Sequence, residues 1–267
     1  MLQRIVSASI DAELGDSVDI LLALAVASNY GRDTESMTVT LNDKDFEAVE
    51  VGAPHHARFH LLKNVGPGQL SIRYDATVSY PTEQDAAGDL EWFRYVRPSR
   101  YCESDRLGPF ARDEFQGLEG FDLLAAVSSW VGSNINYVPG SSRPTDGAIA
   151  TLLDREGVCR DFAHLTAALL RANDVPARVV SVYAPGLAPM DFHAVAEACL
   201  DGAWYVVDPT CLAPRQAMVR IATGADASDT AFLTNVGGRL NLQSMNVTAV
   251  AEPDLPIDDT AATAFLW

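Results

Sequence analysis

A cysteine, a histidine and an aspartate stand in the order that a thiol acyl-transfer site requires. Cys159 lies in GVCRDFAHL (157–165), His193 in DFHAVAE (191–197) and Asp208 in WYVVDPT (204–210). Gly157 closes the segment before the cysteine, and Phe162, Leu165, Leu169 and Leu170 then recur at helical spacing. Cys159 therefore falls in the first turn of a predicted helix, running to about Ala172 with Asn173 in the left-handed terminal position. Unpaired backbone N–H groups and the positive end of the helix dipole make a sulfur nucleophile reactive there.

His193 to Leu200 and Ala203 to Asp208 read as two strands joined by Asp201-Gly202, the strongest short-range hairpin signal. A two-residue loop sets Leu200 opposite Ala203, which brings Glu197 opposite Val206 and Val195 opposite Asp208. Side chains alternate faces along a strand. His193, Val195, Glu197 and Cys199 therefore share a face with Asp208, the diagonal neighbour of His193. Diagonal Cβ atoms lie about 7–8 Å apart or less, within reach of a carboxylate–imidazole hydrogen bond. The expected chemistry is proton transfer from Cys159 to His193, oriented by Asp208, and sulfur attack on an amide carbonyl with release of an amine. The Cys159 backbone N–H is one oxyanion donor, and the loop around Asn136 and Tyr137 is where a second is sought.

These three blocks, in this order and spacing, resemble the core of the transglutaminase-like superfamily, in particular its bacterial cysteine peptidase or amidase branch. The resemblance is strongest over roughly 110–212. It implies an α+β fold, a papain-like catalytic domain preceded by a small antiparallel β-sandwich. It also implies a catalytic triad of Cys159, His193 and Asp208, a thioester intermediate, a protein or peptide substrate and no cofactor. The triad leaves water or an amine open as acceptor, and the bacterial relatives lean towards hydrolysis. Calcium, used by some animal relatives, has no ligand cluster to bind here. A non-catalytic interaction module that keeps the fold is the alternative, and a thiol redox protein pairing Cys159 with Cys199 or Cys211 is a third reading.

The elements that would position these residues follow from the rest of the chain. Short apolar or alternating runs at 5–10, 18–27, 36–41, 46–51, 57–62 and 69–80 predict an N-terminal β domain over 1–80. Pro81, Pro98 and Pro109 and many charges mark 81–112 as a linker, with Cys102 a structural thiol at the junction. The catalytic domain is placed at 113–250. It comprises a helix ending near Gly132, a short helix capped by Thr145, the cysteine helix, and a first sheet strand at 175–183. A closing strand is read at 240–250 and a frayed tail at 251–267.

Remaining candidates read more plainly. His164 is expected to be structural, Cys199 and Cys211 to be packing residues, and Glu197 either a substrate contact or a partly exposed carboxylate. His55, His56 and His60 read as ordinary turn and strand histidines. The balance of 19 Lys and Arg against 36 Asp and Glu gives a net charge of −17 in 267 residues. Such a surface argues against nucleic acid and anionic membrane as partners. Four cysteines make no disulfide framework in a chain this long. The N-terminus shows no basic-then-apolar leader and the run 20–27 falls far short of the ~20 residues that span a bilayer. A cytoplasmic protein is the expectation.

Overall fold

The computed structural model describes residues 2–81 and 87–266. The N-terminal strands are β1 (Gln3–Leu14), β2 (Val18–Leu22), β3 (Tyr30–Leu41), β4 (Lys44–Asp45), β5 (Val49–Gly52), β6 (Arg58–Val65) and β7 (Gly68–Pro81). Helices α1 (Asp89–Tyr95), α2 (Ser104–Glu114) and α3 (Gly120–Asn134) follow, then β8 (Asn136–Tyr137), α4 (Ala148–Asp154), β9 (Glu156–Gly157) and α5 (Cys159–Ala172). The remainder is β10 (Ala177–Tyr183), β11 (Phe192–Leu200), β12 (Ala203–Val207), β13 (Val219–Gly224), α6 (Ala227–Thr230), β14 (Leu233–Val236) and β15 (Leu240–Glu252). The fold is mixed α and β, and its larger sheets are antiparallel.

Among the described residues, one sheet has the order β15-β1-β7-β3-β4 and a second the order β14-β2-β6-β5. Alternation drives both. Along β1, Val6, Ala8, Ile10 and Leu14 point inward and meet Ile20 and Leu22 of β2 and Leu62 of β6 in one apolar cluster. The run predicted as one strand over 18–27 leaves the ladder at Leu22, yet Ala23 to Ala27 remain buried. Their backbone groups bond across the molecule instead. Tyr183 Oη donates to the Leu24 carbonyl at 2.9 Å, and the Ala27 N–H to the Arg220 carbonyl at 2.9 Å. This segment joins the N-terminal sheets to the core sheet.

Strand β15, grouped by sequence with 113–250, pairs with β1 from Leu240↔Leu14 to Glu252↔Gln3. The stretch 81–112 contains α1 and most of α2, and residues 82–86 of it lie outside the described residues. Helix α2 shows little apolar signal in the sequence, because its buried face is Ser104, Leu107, Gly108 and Ala111 and it contains Pro109.

The third sheet, β12-β11-β10-β13, carries α5 on one side. Helix α5 is buried from Asp161 to Ala172. Its Phe162, Leu165 and Leu169 pack on Val179, Ala196 and Ala198 of the sheet, while Leu107 of α2, Val127 of α3 and Ala148 of α4 enclose it. Helix α4 is capped at Gly147, two residues beyond the predicted Thr145, and Asp174 rather than Asn173 takes the left-handed conformation (φ 60°). No helix among the described residues is long and apolar enough to cross a membrane.

Candidate active site

Cys159 is the first residue of α5. The helix start is fixed by Asp161, whose Oδ2 accepts the Val158 N–H at 2.8 Å and whose Oδ1 accepts Ser142 Oγ–H at 2.9 Å. A carboxylate in the first turn also suits the helix dipole. Gly157 is required by close approach, because a Cβ there would lie 2.6 Å from Asp161 Cβ. The strand pair β8–β9 brings Tyr137 alongside: the Val138 N–H bonds the Gly157 carbonyl at 2.9 Å, and the Tyr137 ring packs on Phe162 at 5.9 Å.

The hairpin register is Leu200↔Ala203, Glu197↔Val206 and Ala196↔Val207, as the Asp-Gly turn predicts. His193 and Asp208 consequently meet. Nε2 of His193 and Oδ2 of Asp208 are 2.8 Å apart, both side chains almost wholly buried. Oδ1 of Asp208 accepts Thr210 Oγ1–H at 2.7 Å and the Thr210 N–H at 3.0 Å. The aspartate therefore presents one fixed oxygen to the histidine. The Asp-Pro-Thr sequence carries this signal, since a Thr two residues after an Asp closes such a turn.

Burial disfavours the His193 imidazolium, but the Asp208 charge and hydrogen bond outweigh it, with a smaller contribution from Cys159, and push His193 up to about 10. With Nε2 committed to Asp208, Nδ1 is the nitrogen left for the Cys159 thiol; it is buried and bonds no other group. Tyr137 also interacts with Cys159, and burial together with the cysteine pushes its phenol up to about 12. Cys159 and His193 open onto a cleft of about 540 Å³.

Other candidates fall elsewhere. His164 is buried in α5; its Nε2 accepts the Ala227 N–H at 3.1 Å and its ring stacks on Tyr101 at 5.2 Å. Burial pushes it down to about 3, so it stays neutral and structural. Cys102 is fully buried against the Ala225 carbonyl and its thiol is pushed up to about 12 by burial, which makes it inert. Cys199 packs with Tyr95 and Trp204, and burial raises its thiol too. Cys211 is exposed, and all four cysteines are free.

Glu197 corrects the expectation. It is neither partly exposed nor a substrate contact: it is fully buried and clamped between two arginines. Arg178 Nε donates to Oε2 at 2.7 Å, while Arg220 Nη1 donates to Oε2 at 3.0 Å and Nη2 to Oε1 at 2.7 Å. His55 and His60 are structural as well; His55 Nε2 lies 2.7 Å from Tyr95 Oη and Nδ1 lies 3.1 Å from Arg178. Among the described residues no group of three or more His, Cys, Asp or Glu is placed to hold a metal ion.

The model of the transglutaminase-like superfamily matches residues 116–209, the stretch that holds Cys159, His193 and Asp208. The structure superposes on the crystal structure of a candidate cysteine protease from Cytophaga hutchinsonii with a TM-score of 0.87 and 30% identity, covering 96% of this chain and 93% of that one. The uncharacterized protein ML0607 of Mycobacterium leprae is 29% identical over 124 residues, 42% of this chain and 43% of its own. The uncharacterized protein Rv2569c of Mycobacterium tuberculosis is 42% identical over 62 residues, 23% of this chain and 20% of its own. These matches thus span less than half of either mycobacterial relative. A likeness at 30% identity over nearly the whole of both chains, with the family model covering the Cys159–Asp208 segment, makes this chain a member of the transglutaminase-like superfamily.

Proposed function

We propose that this protein is a cysteine-dependent hydrolase or acyltransferase acting on peptide or glutamine-type amide bonds, with Cys159, His193 and Asp208 as its catalytic residues. The single observation that carries the reading is the buried 2.8 Å His193–Asp208 bond, whose histidine lines a cleft together with the helix-start cysteine. The cysteine-protease description of the Cytophaga hutchinsonii structure agrees with it. We read the core of α5 against the third sheet as papain-like, and the two N-terminal sheets as a β-sandwich beside it.

In this mechanism the Cys159 sulfur attacks the amide carbonyl, and its proton resides on His193 Nδ1. A sulfur–carbon bond forms, the carbon–nitrogen bond breaks, and the imidazolium gives its proton to the departing amine. Asp208 holds the imidazole through Nε2 and favours its charged form. Water, activated in turn by His193, cleaves the thioester. We place hydrolysis ahead of transfer to a second amine. The Cys159 backbone N–H and the Tyr137 hydroxyl are the two oxyanion donors in this scheme.

The first test is alkylation by iodoacetamide near neutral pH, mapped by mass spectrometry. Cys159 is expected to react faster than Cys211, and His193→Ala to remove the advantage. Equal rates for both cysteines in the wild type would sink the proposal. Once a substrate is found, Tyr137→Phe is expected to lower kcat about 10²–10³-fold, the cost of one oxyanion donor. An unchanged kcat would remove the phenol from the scheme.

A further inference from the structure

The cleft beyond Cys159 and His193 has walls from distant parts of the chain. Ala23 follows β2, Phe192 and Ile221 belong to the core sheet, Phe232 precedes β14, and Met245 lies on β15. All five join the apolar cluster of the N-terminal sheets, so this wall is the outer surface of a packed core. It is stiffened further. The Phe192 and Phe232 rings stack at 5.4 Å, Phe192 leans on Tyr183 at 5.5 Å, and the Ala23 N–H bonds the Phe232 carbonyl at 3.0 Å.

Some polar groups in the cleft are committed, while Arg160 Nε is buried with no hydrogen-bond partner. Ser181 Oγ exchanges hydrogen bonds with the Ala222 backbone. Arg160 donates to Ser142 Oγ and to the Arg143 carbonyl. Asp191 brings negative charge to the rim, and burial raises its carboxyl. An acidic side chain entering beside Asp191 would meet that carboxylate, and a long polar one laid on the wall of Ala23, Phe192, Ile221, Phe232 and Met245 would lose water without a hydrogen-bonding side chain to meet it. An apolar side chain would gain burial, and the volume of about 540 Å³ suits a small ligand, for which pockets of roughly 300–1,000 Å³ are usual.

We propose that this wall is a side-chain subsite, and that the acyl group transferred to Cys159 carries an apolar, aromatic or long aliphatic, side chain. The inference rests on Cys159 being the nucleophile, because the acyl group is the part of the substrate held at the sulfur through the thioester. It favours a peptide bond following an apolar residue over a glutamine side-chain amide. It also gives the N-terminal sheets a direct share in specificity, through Ala23 and Met245.

The experiment compares labelling of Cys159 by N-acetyl aminoacyl chloromethyl ketones of Phe, Leu, Gln and Asp, each rate divided by that for iodoacetamide. The Phe and Leu reagents are expected to exceed the Gln and Asp reagents by roughly tenfold or more, the discrimination one side chain in an apolar pocket supplies. Met245→Glu, half-buried and so less disruptive to folding, and Phe232→Ala should each collapse that ratio towards one, with circular dichroism confirming the fold. Rapid iodoacetamide labelling with no preference among the four reagents overturns the subsite and leaves the nucleophile standing. Failure of iodoacetamide to favour Cys159 over Cys211 overturns both.

Discussion

Replacing Glu197 by alanine should be among the most destabilising single changes in this protein. The carboxylate is fully buried and accepts three N–H bonds from Arg178 and Arg220. Burial alone would push its carboxyl up, yet the two guanidinium groups outweigh this and hold it below the usual carboxylate range. Arg178 is 0% and Arg220 2% exposed, so the variant removes from two interior cations the carboxylate they share. Breaking a buried pair from one side costs about 3–5 kcal/mol. For a domain of this size each kcal/mol moves Tm by about 2–4 °C, which gives a fall of roughly 6–20 °C. Differential scanning calorimetry and urea titration followed by circular dichroism both read it. Glu197→Gln, which keeps the shape and one acceptor, should fall between. The triple replacement Arg178→Met, Glu197→Leu, Arg220→Met should recover much of the loss, since the carboxylate and both guanidinium groups are then removed together. A Tm for Glu197→Ala within about 2 °C of the wild type would refute the reasoning.

Stability should peak near neutral pH, for two opposed reasons. An unfolded histidine titrates near ~6.5, whereas His193 is pushed up to about 10 in the fold. The folded state therefore binds the extra proton between these values, and the stability His193 contributes is complete below the lower and lost as pH rises through the upper. Asp208→Asn should flatten that alkaline limb. His164, held down to about 3 by burial, acts in reverse: the unfolded chain binds more protons as pH drops below ~6.5, and stability falls. Urea midpoints at about pH 4, 7 and 9 in the wild type, His164→Gln and Asp208→Asn check both limbs. Thr210→Val removes the 2.7 Å bond to Asp208 Oδ1 and should cost about 1.5–3 kcal/mol, the usual worth of a hydrogen bond to a charged group, in urea unfolding. Gly157→Ala drives a Cβ against Asp161 and should cost about 1–3 kcal/mol while slowing Cys159 alkylation. Cys102 should resist alkylation until the protein is denatured, which a thiol count before and after urea will show.

What sequence could reveal of this site was local. A Gly before a Cys, an apolar helical face and an Asp-Gly turn between alternating runs each constrain only a few neighbouring residues. Together they placed Cys159 at a helix start and His193 beside Asp208 through a register now seen at Leu200↔Ala203. The role of Glu197 was hidden because its partners sit on two different strands: Arg178 faces it on β10, and Arg220 comes from β13 beyond. Alternation gave the face and could not give the neighbours. Helices α1 and α2 were hidden for a different reason, since short helices with small or exposed side chains and an internal proline lack a periodic apolar signal. The apolar wall of the cleft was illegible altogether, as Ala23 and Met245 come together only through sheet pairing.

That pairing also orders events in time. Strand β1 (Gln3–Leu14) and its neighbour β15 (Leu240–Glu252) lie far apart in the sequence, so the sheet that holds β1 is completed only after the Cys159, His193 and Asp208 segments have been made. A ribosome making this chain releases β1 with β7 as one neighbour and an open edge on the other side, and that edge persists until β15 has emerged. A terminated or clipped chain ending before β15 would carry Cys159, His193 and Asp208 but lack Met245 and this edge strand. It would expose backbone groups ready to pair with a second unfinished copy. Completion of one sheet thus couples the integrity of β15 to the wall beside the candidate nucleophile.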